Sequence, residues 1–281
     1  LVSDENHARR TIAIDGKTLR RSHDRGAGLG PLHLVSAWAS EQGIALGQIA
    51  TEEKSNEITA IPELIDQIDL RDAVVTIDAM GCQKEIARKI VKQKGDYVLA
   101  VKDNQPKLFA ALKTFFSEQL EDDFQHAACR RHETHETGHG RTDERYYYLA
   151  KLPGDIALKK QWPSVKAIGI AVRVTENSDG TTSDDVRYFI ASRYLSGKRF
   201  AQAVRGHWGI ENCLHWVLDV TFDEDQSRTR NRHMANNLSW LRRFAISLLK
   251  RHPSTDSIKG KREIAGWNND FLMQVLAAQR T

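Results

Sequence analysis

The sequence predicts a mixed α/β protein, a sheet flanked by helices with a strand-rich segment let into its second half. Three observations carry that prediction. Three short apolar runs follow one another before any helical period begins. Strands and helices then alternate, and two of the strands close on an acidic residue. Residues 118–196 turn rich in Thr, Tyr, Val and charge before a helical pattern returns.

In chain order, Thr11–Gly16 is a short apolar run ending on Asp15 and Gly16, which reads as a buried strand. Leu32–Ser40 and Ile44–Thr51 are two more strands, joined as a hairpin by Ser40-Glu41-Gln42-Gly43. Ser55 is a candidate N-cap for a helix whose apolar residues, Ile58, Ile61, Leu64, Ile65 and Ile68, recur at three and four. Ala73–Asp78 is a fourth strand, Gln83–Lys94 an amphipathic helix, Tyr97–Lys102 a strand and Gln105–Phe116 a helix. The first three strands form an antiparallel meander, and the later ones carry the crossover helices that parallel pairing needs. Further strands are predicted at Arg145–Leu149, Val165–Thr175 and Val186–Ser192, with a turn at Asn177-Ser178-Asp179-Gly180. Beyond Ser196, a candidate N-cap, helices are predicted at Arg199–Trp208, Glu211–Asp219 and Arg232–Lys250.

Composition is that of an ordinary globular chain, 281 residues with 40% hydrophobic and 28% charged. No apolar run approaches the roughly 20 residues of a membrane helix. The start of the chain is polar, unlike a secretory signal, and Cys82, Cys129 and Cys213 are scattered and odd in number, as reduced cytoplasmic thiols are. Net charge is only +4, but residues 197–262 hold 13 Lys/Arg against 6 Asp/Glu, a local +7 that leaves −3 elsewhere. A basic C-terminal third suits a polyanion such as nucleic acid, and equally a solvated helical surface.

Asp15 and Asp78 occupy equivalent places, each after an apolar strand and before a small residue. Neighbouring strands would project the two carboxylates together, where mutual repulsion raises their pKa unless a cation intervenes. Oxygen ligands with room for water and phosphate suit Mg2+, with Mn2+ as a substitute. A third acid from a late helix, Glu211, would complete two metal sites; ions about 3.5–4 Å apart can activate a hydroxyl and stabilise the leaving oxygen of a phosphodiester. Taken singly, an acid at a strand end is more often a cap or turn former.

The motifs extend this. Ile14-Asp15-Gly16-Lys17, Lys54-Ser55-Asn56-Glu57-Ile58, Thr76-Ile77-Asp78-Ala79-Met80-Gly81-Cys82-Gln83, Asp96-Tyr97-Val98-Leu99, Lys102-Asp103-Asn104-Gln105 and the long run Arg205–Val220 resemble the DDE transposases of bacterial insertion sequences, in particular the H-repeat-associated proteins of Rhs elements. The resemblance covers about residues 8–252. It implies a ribonuclease-H-like fold with a β-rich insertion before the last catalytic helix. It also implies metal-dependent DNA cleavage and strand transfer at element ends, with Asp15, Asp78 and Glu211 as catalytic and metal-binding residues and Mg2+ as cofactor. Its expected partner is double-stranded DNA, bound by a homodimer in the bacterial cytoplasm. The implied division is 1–117 as the first part of the core, 118–196 as the insertion and 197–281 as the C-terminal helices. A DNA-recognition domain is expected upstream, since the chain opens on Leu1 and soon enters a strand. One departure stands out. Related transposases carry Tyr, Arg, Glu and Lys along the last helix, whereas counting from Glu211 this chain has Val204, His207 and Leu218 at the Tyr, Arg and Lys positions.

Candidate DNA contacts are Lys17, Lys102, Asn104, Gln105, Arg141, Arg205, His207, Trp208, Arg228, Arg230 and Arg232. Lys102, Asn104 and Gln105 lie where a strand gives way to a helix, a place that can hold a phosphate or be a capped turn. Arg205 and His207 stand in for the missing signature residues. Trp208 could stack on an unpaired base, while Trp216 is expected in the core. Arg228, Arg230 and Arg232, followed by Arg242, Arg243, Lys250 and Arg251, form the best phosphate track. Asp219, two helical turns from Glu211, is a candidate support for the metal site. His132, His135 and His139, with His126 and Cys129, fit no well-formed zinc module and read as a polar loop; His139-Gly140-Arg141 resembles a family motif. The rival function is a domesticated or decayed element that binds DNA without cutting it; another is a nuclease of the same fold that does not join strands.

Overall fold

A computed structural model describes residues 10–51, 57–138, 140–153 and 161–277. The chain divides into two compact units, one of Leu1–Thr11 with Asp69–Gly206 and one of Ile12–Ile68 with His207–Thr281. The proposed Ser55 cap and His139 lie outside the described residues.

The second of these units opens with the expected meander, β1 (Arg10–Leu19), β2 (Leu32–Ala39) and β3 (Ile44–Thr51), antiparallel throughout. Gly43 turns the β2–β3 hairpin at a φ of 65°. Helix α1 (Glu57–Asp66) covers one face with Ala60, Ile61, Leu64 and Ile65. The opposite face is closed by residues from the far end of the sequence: Ala13 and Trp38 pack with Ile210, Leu214, Val217, Leu218 and Ile246. Covered on both sides, β2 is buried at all eight positions, which is why its sequence is apolar on both faces apart from His33 and Ser36.

In the other unit the sequence runs β4 (Ala73–Ile77), α2 (Lys84–Lys92), β5 (Asp96–Val101), α3 (Pro106–Glu121), β6 (Cys129–Gly138), β7 (Arg141–Lys151), β8 (Ala167–Asn177) and β9 (Thr182–Ala191). These strands form a mixed sheet in the order β4-β5-β9-β8-β7-β6. The β4–β5 pair, bridged by α2, is parallel as expected, and every other pair is antiparallel. The segment expected as an insertion thus continues the sheet from β5 through β9. The expected turn at Asn177–Gly180 joins β8 to β9, with Gly180 at a φ of 80°. One expectation fails here. The polar stretch around His132 and His135 is not a loop but strand β6, paired with β7 along its whole length. Both of its faces carry Arg, His, Glu and Thr, so it lacks the apolar alternation that marks a strand; such polarity suits a sheet edge, which it occupies.

The C-terminal helices are α4 (Gly197–Ile210), α5 (Trp216–Phe222), α6 (Arg232–Arg251), α7 (Ile258–Trp267) and α8 (Asn269–Leu276). Ser196 caps α4 as expected, its hydroxyl accepting from Arg199 N at 3.2 Å. The expected break after Trp208 is absent. Instead α4 runs into α5 through one π-helical turn, Glu211–His215. The expectation for Trp216 fails: it is 58% exposed, while Ile210, Leu214, Val217 and Leu218, at ordinary helical spacing, face the core.

Candidate functional site

Asp15 stands on β1 opposite Ser36 of β2, with its side chain 19% exposed. The π turn begins on Glu211, which is exposed, and ends on His215, whose Nδ1 lies 3.5 Å from Asp15 Oδ2. The turn therefore brings the segment that carries Glu211 to the strand that carries Asp15. Single π turns inside α-helices cluster at functional sites. His215 is held neutral. Burial first, then the positive charge of Arg243 and Lys17, pushes its pKa down to about 3. Its Nε2 is buried and has no hydrogen-bond partner among the described residues.

Around this pair the unit is tied by ionic contacts. Lys17, two residues beyond Asp15 on the same strand, is only 8% exposed and donates to Asp219 at 2.7 and 2.9 Å and to Asp225 at 3.1 Å. Two carboxylates thus hold Lys17, named above as a candidate DNA contact, inside the fold. Asp219, proposed as a support for the metal site, serves as the anchor of this lysine; burial pushes its pKa up against the pull of Lys17. Arg243 also leaves the surface track: it is 1% exposed, Nη1 3.4 Å from Glu224 Oε1 and Nε donating to Ser36 Oγ at 3.2 Å, directly across the register from Asp15. A second buried chain flanks Gly16. Thr18 Oγ1 meets His33 Nδ1 at 2.8 Å, and His33 Nε2 meets Glu57 Oε1 at 2.6 Å.

In the other unit Asp78 follows β4 directly and its Oδ1 accepts from Gly81 N at 3.2 Å. The loop after it is stapled from the β5–α3 junction. Asn104 Nδ2 donates to Ala79 O at 2.5 Å and Gln105 Nε2 to Cys82 O at 3.0 Å. These two side chains, expected at a phosphate, spend donors on holding the Asp78 loop, and Lys102 beside them is exposed. Burial and the Asp78 carboxylate push the Cys82 thiol up to about 12. Arg141 Nε lies 3.4 Å from Asp143 Oδ2, and Arg205 is paired with Glu136.

Of the remaining expected contacts, His207 is half-buried and Trp208 38% exposed. Arg228 and Arg230 are exposed and line one cavity, while Arg232 Nη2 donates to Gly30 O at 2.8 Å. His33, Glu57 and His215 belong to the surroundings of Asp15 and were not singled out for a role by the sequence, although Glu57 and His215 sit inside the quoted motifs; Arg243, expected in the phosphate track, joins them.

Asp15, Asp78 and Glu211 offer oxygen only, a donor type that fits a hard divalent cation. Among the described residues no three His, Cys, Asp or Glu side chains stand together as a ready ligand set, so the fit is one of donor chemistry. Among the same residues no helix is long and apolar enough to cross a membrane.

Residues 6–249 match the family model described as the transposase DDE domain. Over 271 residues the chain is 40% identical to YncI of Escherichia coli O157:H7, described as a candidate transposase, covering 95% of this chain and 69% of that one. It is 38% identical over 271 residues to YhhI of Escherichia coli K12, described as an H repeat-associated candidate transposase, covering 95% of this chain and 71% of the other. A solved piggyBac transposase synaptic complex with hairpin DNA superposes with a TM-score of 0.46 at 10% identity, over 96% of this chain and 55% of that one. Matched over most of its length by the family model and by relatives of this similarity, the chain belongs to the DDE transposase family.

Proposed function

We propose that this protein cuts and joins DNA at the ends of its own element, with Asp15, Asp78 and Glu211 as the acids that hold Mg2+ or Mn2+. The observation that carries this is the π turn, which starts on Glu211 and sets His215 3.5 Å from Asp15. Bound ions would supply an activated hydroxyl and stabilise the leaving oxygen of the phosphodiester. The chain's own residues do the rest. His215, neutral, lies against Asp15 without adding a competing positive charge of its own. Lys17 with Asp219, and Arg243 with Ser36, fix the strand and helices that carry Asp15 and Glu211. The Gly81 amide, with Asn104 and Gln105 behind it, fixes the Asp78 loop. Lys102, Arg228 and Arg230 are exposed and free to meet backbone phosphates, which set register and affinity rather than sequence. Double-stranded DNA is the partner, held by a homodimer across two ends.

The test is strand cleavage and joining on pre-nicked element-end DNA with Mg2+ or Mn2+, comparing the native chain with Asp78→Ala. Metal-dependent products lost in the variant are expected. DNA binding without products from either protein overturns the proposal in favour of a DNA-binding remnant, and nicking without joining makes the protein a nuclease.

A further inference from the structure

Beyond the acids, one cavity in the unit of Ile12–Ile68 and His207–Thr281 has an unusual lining. It measures about 400 Å³ and is bounded by Arg21, His23, Arg25, Gly26, Arg228 and Arg230. Four arginines and a histidine line it, and among the described residues no Asp or Glu does. Neighbouring basic groups are treated differently: Arg20 is paired with Asp225 at 3.1 Å, and Lys17 with Asp219 and Asp225. Arg21, Arg25, Arg228 and Arg230 have no ion pair among the described residues. Asp24 is the acid nearest in sequence, but its carboxylate is turned onto its own loop, accepting from Gly26 N at 3.1 Å and Ala27 N at 3.4 Å.

Like charges gathered without counter-charge repel one another, and an anion in their midst removes the cost. Both walls are also fixed in advance. Asp24 and Leu29 exchange backbone hydrogen bonds at 2.9 and 2.8 Å, and Ser22 Oγ bonds Leu19 O and Leu32 N. On the other wall, Asn231 caps α6 through Met234 N, and Arg232 reaches back to Gly30 O at 2.8 Å, joining the two segments. A preformed cationic cavity loses little order on taking up its ligand. Arginine forks match phosphate oxygens in pairs.

We infer that this cavity is a phosphate-binding site which takes one phosphodiester of duplex DNA together with its flanking sugar, Arg21 and Arg25 from one wall and Arg228 and Arg230 from the other. Its volume exceeds that of a phosphate and falls within the range of about 300–1,000 Å³ of small-ligand sites. The inference deepens the proposed function, which already gives Arg228 and Arg230 to backbone phosphates, and rests on it in taking DNA as the source of the phosphate. The same chemistry would serve free phosphate, and the test separates the two.

The experiment measures affinity for a fluorescein-labelled DNA duplex against salt concentration, in EDTA so that no metal-dependent step intervenes. Arg228→Gln/Arg230→Gln and Arg21→Gln/Arg25→Gln are compared with the native chain and with Lys84→Gln/Lys92→Gln, a control on exposed residues of α2; melting curves establish that each is folded. The slope of log affinity against log salt changes by about 0.9 for each phosphate neutralised, so with a single phosphodiester in the cavity each arginine pair is expected to lower it by up to about 0.9. The lysine control is expected to leave it unchanged. In parallel, inorganic phosphate is added to melting curves. A rise in Tm in the native chain that both arginine pairs abolish, with DNA slopes equal across all variants, makes free phosphate the ligand and overturns the DNA assignment. Equal slopes and no phosphate effect overturn the site altogether. Absence of metal-dependent cleavage by the native chain, with the slope changes intact, refutes the catalytic proposal and leaves this site standing.

Discussion

Replacing Gly16 by alanine tests whether the buried chain beside Asp15 holds β1 in place. A Cβ at position 16 would lie 2.3 Å from Glu57 Oε1, 2.5 Å from His33 Nε2 and 2.8 Å from Glu57 Cδ. Neither neighbour is a loose surface group, since Glu57 is 5% and His33 2% exposed and they hydrogen-bond to each other at 2.6 Å. The methyl group fits only if Glu57 withdraws from His33. Overpacking a filled core costs about 1–3 kcal/mol, and leaving a buried polar group without its partner costs about 1–3 kcal/mol more. A sum of about 3 kcal/mol lowers Tm by roughly 6–12 °C, at about 2–4 °C per kcal/mol for a chain of this class. Differential scanning calorimetry reads the shift. In a Glu57→Ala background the same substitution should cost less, because two of the three nearest atoms belong to Glu57. A Gly16→Ala protein that melts within about 2 °C of the native chain, or an equal cost in both backgrounds, refutes the steric argument.

Two further outcomes are expected. Glu224→Ala leaves Arg243 buried without its carboxylate and should cost about 3–5 kcal/mol, whereas Glu224→Leu/Arg243→Met should recover most of that in urea unfolding; a double variant no more stable than the single one would refute this. Asp143 has its pKa held down at about 2, because hydrogen bonds from Thr175 and Arg173 outweigh the opposing effect of burial. A carboxylate depressed in the fold stabilises it above its unfolded pKa, so this contribution is complete above about pH 4 and lost between about pH 4 and 2. Asp143→Asn should therefore flatten the dependence of Tm on pH in that window, and an unchanged curve would show that Asp143 contributes nothing there.

The strands with apolar runs are legible in the sequence: Ile12–Ile14 of β1, Val74 and Val75 of β4 and Val98 and Leu99 of β5 are hydrophobic and buried without a break. Strand β6 was not legible, because Arg131, His132, Glu133 and Thr134 give neither face an apolar signature and only pairing with β7 makes it a strand. Trp216 was misplaced for another reason. Assigning it to the core follows the commoner fate of a tryptophan, whereas Ile210, Leu214, Val217 and Leu218 take the inward positions and leave Trp216 on the opposite face. Lys17 and Arg243 read as surface cations because charge is visible in sequence while burial beside Asp219 or Glu224 is not. Asp15, Asp78 and Glu211 could be picked out because each sits in a motif, whereas the His33–Glu57 link arises only when β2 and α1 meet.

The face of β1 and β2 that carries Ala13 and Trp38 is covered by side chains that come after residue 207. On the ribosome this has a temporal meaning. The meander is complete by Thr51, yet its cover is still to be made when Asp69–Gly206 is being synthesised. At about 5–20 residues per second those 138 residues take roughly 7–28 s. For that interval an aromatic, strand-forming surface waits without its partner, a state in which nascent sheets seek one another. The same geometry makes a late stop codon act at the front of the protein: a message ending before Ile210 still encodes Asp15, but not the helices that give it a folded setting.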